Sequence, residues 1–175
     1  MRRKNLILGS VCFALLISAL FCLPAPVPAE EITGFRGMNW GDPLPKEGMK
    51  FVEKKPAYGG VDFYSREGDN LTIGASIIKY IRYGYWNGRL SYVYITCDGI
   101  TNHASLLAAF TEKFGEPRQP NKYIESYHWY LDATRILFIY NSIGESTIAY
   151  LSSRVIANEQ KEWATGQAKK GKNDF

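Results

Sequence analysis

The first candidates for a general base or a nucleophile in this chain are its two histidines, His103 and His128, and Cys97, one of its three cysteines. A histidine beside a carboxylate would support a small hydrolase or transferase, which we keep as an alternative. The sequence has no His-x-x-x-His or Cys-x-x-Cys pair, no glycine-rich phosphate loop and no Gly-x-Ser-x-Gly elbow. We therefore predict no catalytic residue, no metal ligand and no cofactor, and we expect surface histidines.

Cys97 ends a predicted strand in which Val93 and Ile95 alternate with more polar positions. Side chains two residues apart share a face of a strand, so Cys97 is expected to point into the core with Val93 and Ile95. A buried thiol is inert packing, because only an accessible thiolate is a good nucleophile.

The chain is unusually rich in aromatic residues, with 12 Tyr, 9 Phe and 4 Trp concentrated in predicted strands. Two interpretations stay open. The rings could pack against each other as cross-strand pairs, which stabilise a sheet by roughly 0.2–1 kcal/mol each. They could instead form an exposed sheet face that binds an envelope protein, a peptide or a glycan, since tyrosine combines a rigid apolar ring with a polar tip. The candidate binding residues are Tyr83, Tyr85, Tyr92, Tyr94, Tyr127 and Trp129.

A predicted β-hairpin carries four of these six aromatic residues. Residues 76–86 and 89–97 are rich in Ile, Tyr and Val and are separated by Asn87-Gly88. Asn-Gly supplies the two positive-φ positions of a type I′ turn, which is the strongest short hairpin signal. Tyr83 and Tyr85 are expected to share a face with Tyr92 and Tyr94 of the partner strand.

A helix follows the hairpin. Asn102 is predicted as its N-cap, and Gly115 and Pro117 as its end. Its apolar stripe falls at spacings of three and four and contains Leu106, Leu107, Phe110 and Phe114. Three strands with short turns come next, over residues 124–131, 135–141 and 147–151. A weak C-terminal helix is expected from Ser152 or Ser153 to about Trp163.

This order predicts an α+β fold, a mostly antiparallel sheet with one central helix packed on one face. Short loops between the last strands require antiparallel neighbours. We expect one domain over residues 30–165 and a disordered polar tail over residues 166–175.

The N-terminal segment has the form of an export signal. Arg2, Arg3 and Lys4 precede an apolar run over residues 6–23, and Val27-Pro28-Ala29 resembles a signal-peptidase site. We predict that residues 1–29 are removed on export to the periplasm of a Gram-negative bacterium, leaving no membrane span. An uncleaved N-terminal anchor is the alternative.

Loss of those three cations changes the charge. The whole chain has 21 Lys+Arg against 17 Asp+Glu, so residues 30–175 carry 18 against 17. A net charge of this size gives no reason to expect nucleic-acid binding. Cys12 and Cys22 also lie in the signal, so the mature chain has one cysteine and no internal disulfide.

Three motifs give the chain a resemblance to small exported bacterial proteins of unknown function. They are Phe35-x-Gly37-x-x-Trp40-Gly41, Gly84-Tyr85-Trp86-Asn87-Gly88-Arg89-Leu90 and Lys113-Phe114-Gly115-Glu116-Pro117. The resemblance implies a periplasmic or envelope setting and supplies no catalytic residues. With the aromatic strands it favours a non-enzymatic binding or envelope-associated module, of a size that fits one domain.

Overall fold

The computed structural model describes residues 31–56 and 59–172. The predicted signal peptide, residues 1–29, lies outside them. Eleven strands and two helices make up this part of the chain. Four of the strands are short: β1 (Gly34–Phe35), β2 (Met38–Asn39), β5 (Thr72–Ile73) and β6 (Ser76–Ile77). The long strands are β3 (Met49–Lys55), β4 (Val61–Arg66), β7 (Tyr80–Trp86), β8 (Arg89–Asp98), β9 (Ser126–Tyr130), β10 (Thr134–Asn141) and β11 (Ser146–Ser153). The helices are α1 (Ile100–Phe114) and α2 (Arg154–Gly171).

The seven long strands form one antiparallel sheet in the order β3-β4-β7-β8-β11-β10-β9. The predicted α+β class is confirmed, and so is the antiparallel sheet. Helix α1 packs on one face of this sheet, which we call the helix face. Among the described residues, no helix has the length and apolar character needed to cross a bilayer.

The core between α1 and the sheet follows the predicted stripe. Leu106, Phe110 and Phe114 are buried against sheet residues that include Val93 and Phe138. Burial of each such side chain contributes about 1.5–3 kcal/mol relative to leaving it in water. The rings of Phe110 and Phe138 meet edge to face with their centroids 5.5 Å apart.

The start of α1 differs from the prediction. Its N-cap is Gly99, with φ of 83°, and not Asn102. The amide of Asn102 is used elsewhere, because its Oδ1 accepts the Ile77 N–H at 2.9 Å and its Nδ2 donates to the Asp98 carbonyl at 2.9 Å. Asn102 therefore ties α1 to the β5–β6 hairpin. The predicted end is correct, since Gly115 caps the helix with φ of 76°.

Helix α2 is longer than predicted. Ser153 is its N-cap and accepts the Ile156 N–H through its side chain at 3.3 Å. The helix continues to Gly171, so residues 166–171 of the expected disordered tail are helical. Between Gly166 and Gly171 the residues are good helix formers, Gln, Ala and two Lys, and Lys169 and Lys170 in the last turn complement the negative end of the helix dipole.

The β7–β8 hairpin turns at Asn87-Gly88 as predicted, but its register shifts by one residue. Tyr85 pairs with Leu90, and beyond the bulge Gly84 pairs with Tyr92 and Tyr83 with Val93. A one-residue shift moves every following side chain to the opposite face of the sheet. Tyr83 and Tyr85 therefore lie on the helix face and Tyr92 on the other face, which corrects the expected shared face.

Gly84 makes the close packing at this bulge possible. A Cβ built at Gly84 would stand 2.6 Å from the Phe63 ring and 3.1 Å from the Tyr92 Cβ. Phe63 and Tyr92 belong to a second cluster on the face opposite α1, together with Val61, Trp86 and Ile156. Because Ile156 lies in α2, this cluster places α2 over one part of that face and leaves the remainder without a helix.

Candidate functional site

Four of the six aromatic residues predicted to bind a partner are buried. Their exposed fractions are 0% for Tyr83, 3% for Tyr85, 6% for Tyr92 and 3% for Trp129. A side chain with so little accessible surface cannot present a ring to a partner in this conformation. Of the two interpretations of these rings, packing is therefore the correct one at these four positions, and the expectation that they form an exposed face is wrong.

Tyr83 has a defined structural role beneath the β1–β2 hairpin. Its hydroxyl donates to Asp69 Oδ2 at 2.6 Å, and Asp69 Oδ1 lies 2.6 Å from Arg36 Nη1. The Asp69 side chain is only 8% exposed. Burial, with the nearby Asp69 carboxylate, raises the pKa of Tyr83 far above its ordinary value. The hydroxyl stays protonated and holds the buried carboxylate in place.

Tyr92 and Tyr85 use their hydroxyls in the same way. The Tyr92 hydroxyl donates to Gln160 Oε1 in α2. The Tyr85 hydroxyl lies 3.7 Å from the sulfur of Met38. Burial raises the pKa of Tyr85 to about 12. These rings join α2 and the β1–β2 hairpin to the sheet, which is a scaffold role.

Tyr94 and Tyr127 are the two predicted residues that keep exposed surface, and they lie on opposite faces. Tyr127 packs on the helix face and donates its hydroxyl to Glu125. Tyr94 lies on the other face, where its ring meets Tyr150 at a centroid distance of 4.3 Å and Phe63 at 5.0 Å. The structure therefore does not bring the six residues together, and Tyr94 alone belongs to an open surface.

The open surface around Tyr94 is aliphatic as well as aromatic. Cross-strand pairing places Tyr94 beside Tyr150, Tyr150 beside Leu137, and Ile139 beside Ile148. We call this surface the platform; its members are Tyr94, Leu137, Ile139, Ile148 and Tyr150. With the polar residues Asn141 and Ser146 they line a shallow depression of about 320 Å³. Ile139 is 40% exposed and Ile148 is 44% exposed.

Sequence reasoning missed Leu137, Ile139, Ile148 and Tyr150 as candidate residues. The sequence did contain a signal for them. Alternate side chains of a strand point to opposite faces, and in β10 and β11 both sets of alternate positions include apolar side chains. A strand that is apolar on both faces is typical of a sheet covered on both sides. Here α1 covers one set, and the other set remains partly in water.

His103 is buried, which corrects the expectation of a surface histidine. Its Nδ1 lies 3.2 Å from Thr147 Oγ1, and its ring packs against the rings of Tyr140 and Phe138. Its Nε2 is 3.9 Å from a carboxylate oxygen of Glu125. Burial lowers the pKa of His103, with Glu125 opposing that change. A histidine–carboxylate pair is therefore present, but the imidazole is enclosed by packing.

His128 lies on the same face as the platform, at the edge strand β9. Its Nε2 is 3.1 Å from Ser126 Oγ and its Nδ1 is 3.2 Å from the Tyr130 hydroxyl. A serine, a histidine and a third group that orients the ring are the parts of a nucleophilic site. The backbone N–H groups of Ser126 and His128 already donate to Ile124 and Arg118, so neither is available to an oxyanion.

Cys97 is fully buried, as the alternation with Val93 and Ile95 predicted. Burial raises the pKa of its thiol, which keeps it protonated. Among residues 31–56 and 59–172, no three His, Cys, Asp or Glu side chains converge as metal ligands.

In comparisons with known proteins, no protein-family model, no curated protein and no solved structure matches this chain.

Proposed function

We propose that this chain is an exported, non-enzymatic protein of the bacterial envelope that binds a partner protein through the platform. The observation that carries the proposal is the exposure of Ile139 and Ile148 beside each other on the sheet face opposite α1. Single exposed apolar residues are ordinary on a protein surface, whereas contiguous apolar patches mark interaction sites. The platform joins two such aliphatic residues to the rings of Tyr94 and Tyr150.

The chemistry of the platform favours association over catalysis. Its side chains are apolar or phenolic, and they offer contact area with few charges to desolvate. Aromatic and apolar side chains are enriched at the centres of protein interfaces. The predicted export signal and the resemblance to small exported proteins support an envelope location.

The test compares two aspartate substitutions. Ile148→Asp places a charge in the platform, whereas Ile143→Asp makes the same change in the β10–β11 turn, where the side chain is 97% exposed. Each variant is immobilised and offered an envelope extract, and the protein captured by wild type is identified and then purified for an affinity measurement. We expect Ile148→Asp to weaken the affinity at least tenfold and Ile143→Asp to leave it unchanged. Equal affinities for both variants would contradict the proposal.

The contacts of His128 favour a second candidate, an esterase-type hydrolase with Ser126 as nucleophile and His128 as base. Hydrolysis of p-nitrophenyl butyrate that Ser126→Ala and His128→Gln both abolish would support it. Turnover that survives these changes, or that is absent from wild type, would exclude it. We place binding first because the nearest backbone donors, the N–H groups of Ser126 and His128, already donate to the carbonyl oxygens of Ile124 and Arg118.

A further inference from the structure

A basic recess borders the platform where α2 crosses the sheet. Its volume is about 580 Å³, and its walls come from β10, β11 and α2. The residues that line it include three cations, Arg135, Arg154 and Lys161, and no carboxylate. Arg154 and Lys161 are seven residues apart, which places them two turns apart on one side of α2.

The strand register makes the platform and the recess continuous. Arg135 pairs with Ser152, and both line the recess, while two residues along each strand Leu137 pairs with Tyr150. Residues two apart in a strand share a face, so successive cross-strand pairs on this face form parallel rows. In order along the strands, the rows are Ile139–Ile148, Leu137–Tyr150 and Arg135–Ser152. The path from the first row to the last covers four residues of strand, about 13 Å.

The recess keeps its cations accessible in the free protein. Arg135 and Lys161 are both exposed, and the Arg135 guanidinium lies 5.5 Å from the centre of the Tyr130 ring. Arg154 also donates to the carbonyl oxygens of Leu131 and Asp132, which fixes its position at the rim. A second depression adjoins the recess along α2; it shares Lys161 with the recess and is also lined by Glu162 and Lys169.

We propose, building on the function above, that the partner segment is an extended peptide in which apolar side chains and carboxylates stand about four residues apart. Apolar side chains would lie on the platform, and the carboxylates would face Arg135 and Lys161 in the recess. A peptide fits this surface better than a bilayer does, because the platform and the recess are both depressions and three of the five platform side chains, Tyr94, Leu137 and Tyr150, are half-buried.

The test selects dodecapeptides from a random display library on the wild-type protein and measures the affinity of the enriched peptides by fluorescence anisotropy. The enriched sequences should contain Asp or Glu about four residues away from apolar residues, on either side of them. Lys161→Glu should weaken their binding about three- to tenfold, since it removes one attraction and adds a repulsion. Lys46→Glu, the same change in an exposed loop outside the recess, should leave binding unchanged. Raising the salt concentration tenfold should also weaken binding.

Each other outcome counts against the inference. Enriched peptides without acidic residues, affinities insensitive to Lys161→Glu, or no enrichment at all would overturn it. If phosphatidylglycerol vesicles bind the wild-type protein but not Lys161→Glu, and no peptide binds, the recess binds lipid headgroups and the peptide inference is wrong. If Ile148→Asp abolishes capture of the envelope partner and Lys161→Glu does not change it, the proposed function stands and the acidic-peptide inference fails.

Discussion

Tyr83→Phe should lower the free energy of unfolding by about 1.5–3 kcal/mol, the range for a hydrogen bond to a charged group. The change removes only the hydroxyl that donates to Asp69 Oδ2 at 2.6 Å and leaves the ring, which is fully buried, in place. Asp69 keeps its ion pair with Arg36, but its buried carboxylate loses one donor. For a domain of this size the loss corresponds to a fall in Tm of about 5–12 °C.

Urea and thermal denaturation measure this loss, with Tyr123→Phe as the matched control. Tyr123 is 84% exposed, so removing its hydroxyl should change the free energy of unfolding by less than about 0.5 kcal/mol. Adding Tyr83→Phe to an Asp69→Asn background should cost less than it does in wild type, because the two groups interact directly. A Tyr83→Phe variant as stable as the control, or costs that simply add, would refute the assignment of Tyr83 to the scaffold.

Three further predictions concern pH and processing. Burial lowers the pKa of His103, so the free energy of unfolding should decrease as the pH falls below about 6.5, where the unfolded chain takes up a proton. The decrease should be smaller in His103→Gln, whereas His128→Gln should show the same decrease as wild type. Burial raises the pKa of Tyr85 to about 12, so stability should be lost as the pH rises from about 10 to about 12, and Tyr85→Phe should lose less. A pH dependence of stability in His103→Gln identical to that of wild type would contradict the first of these predictions, and the same result for Tyr85→Phe would contradict the second. The mass of the periplasmic protein should match a chain that begins at Glu30; an intact N-terminus in the membrane fraction would favour the anchor.

Local signals in the sequence were sufficient for much of the fold. Asn87-Gly88 located the central hairpin because few dipeptides adopt positive φ at both turn positions, and the structure has φ of 49° and 72° there. The stripe of Leu106, Phe110 and Phe114 identified the buried side of α1, since helical spacing alone decides which side chains face the sheet.

The candidate site depended on interactions that local signals do not contain. The bulge between Gly84 and Tyr85 lies where Gly84 packs against Phe63, a residue of another strand, and it reversed the faces expected for Tyr92 and Tyr94. Likewise, α2 covers one part of the sheet face and leaves the part around Ile148 open. Which aromatic residues remain exposed therefore depends on tertiary packing, and composition could predict only that aromatic residues would matter.

Site-specific photo-crosslinking in cells tests most directly the claim that the platform is the contact surface and the buried tyrosines are scaffold. A photoreactive side chain is placed at Ile148 in one strain and at Ile143 in another, and adducts are identified by mass spectrometry. The platform position should yield an adduct with one defined envelope protein, and the turn position, although 97% exposed, should not. An adduct formed equally from both positions, or from Ile143 alone, would contradict the account.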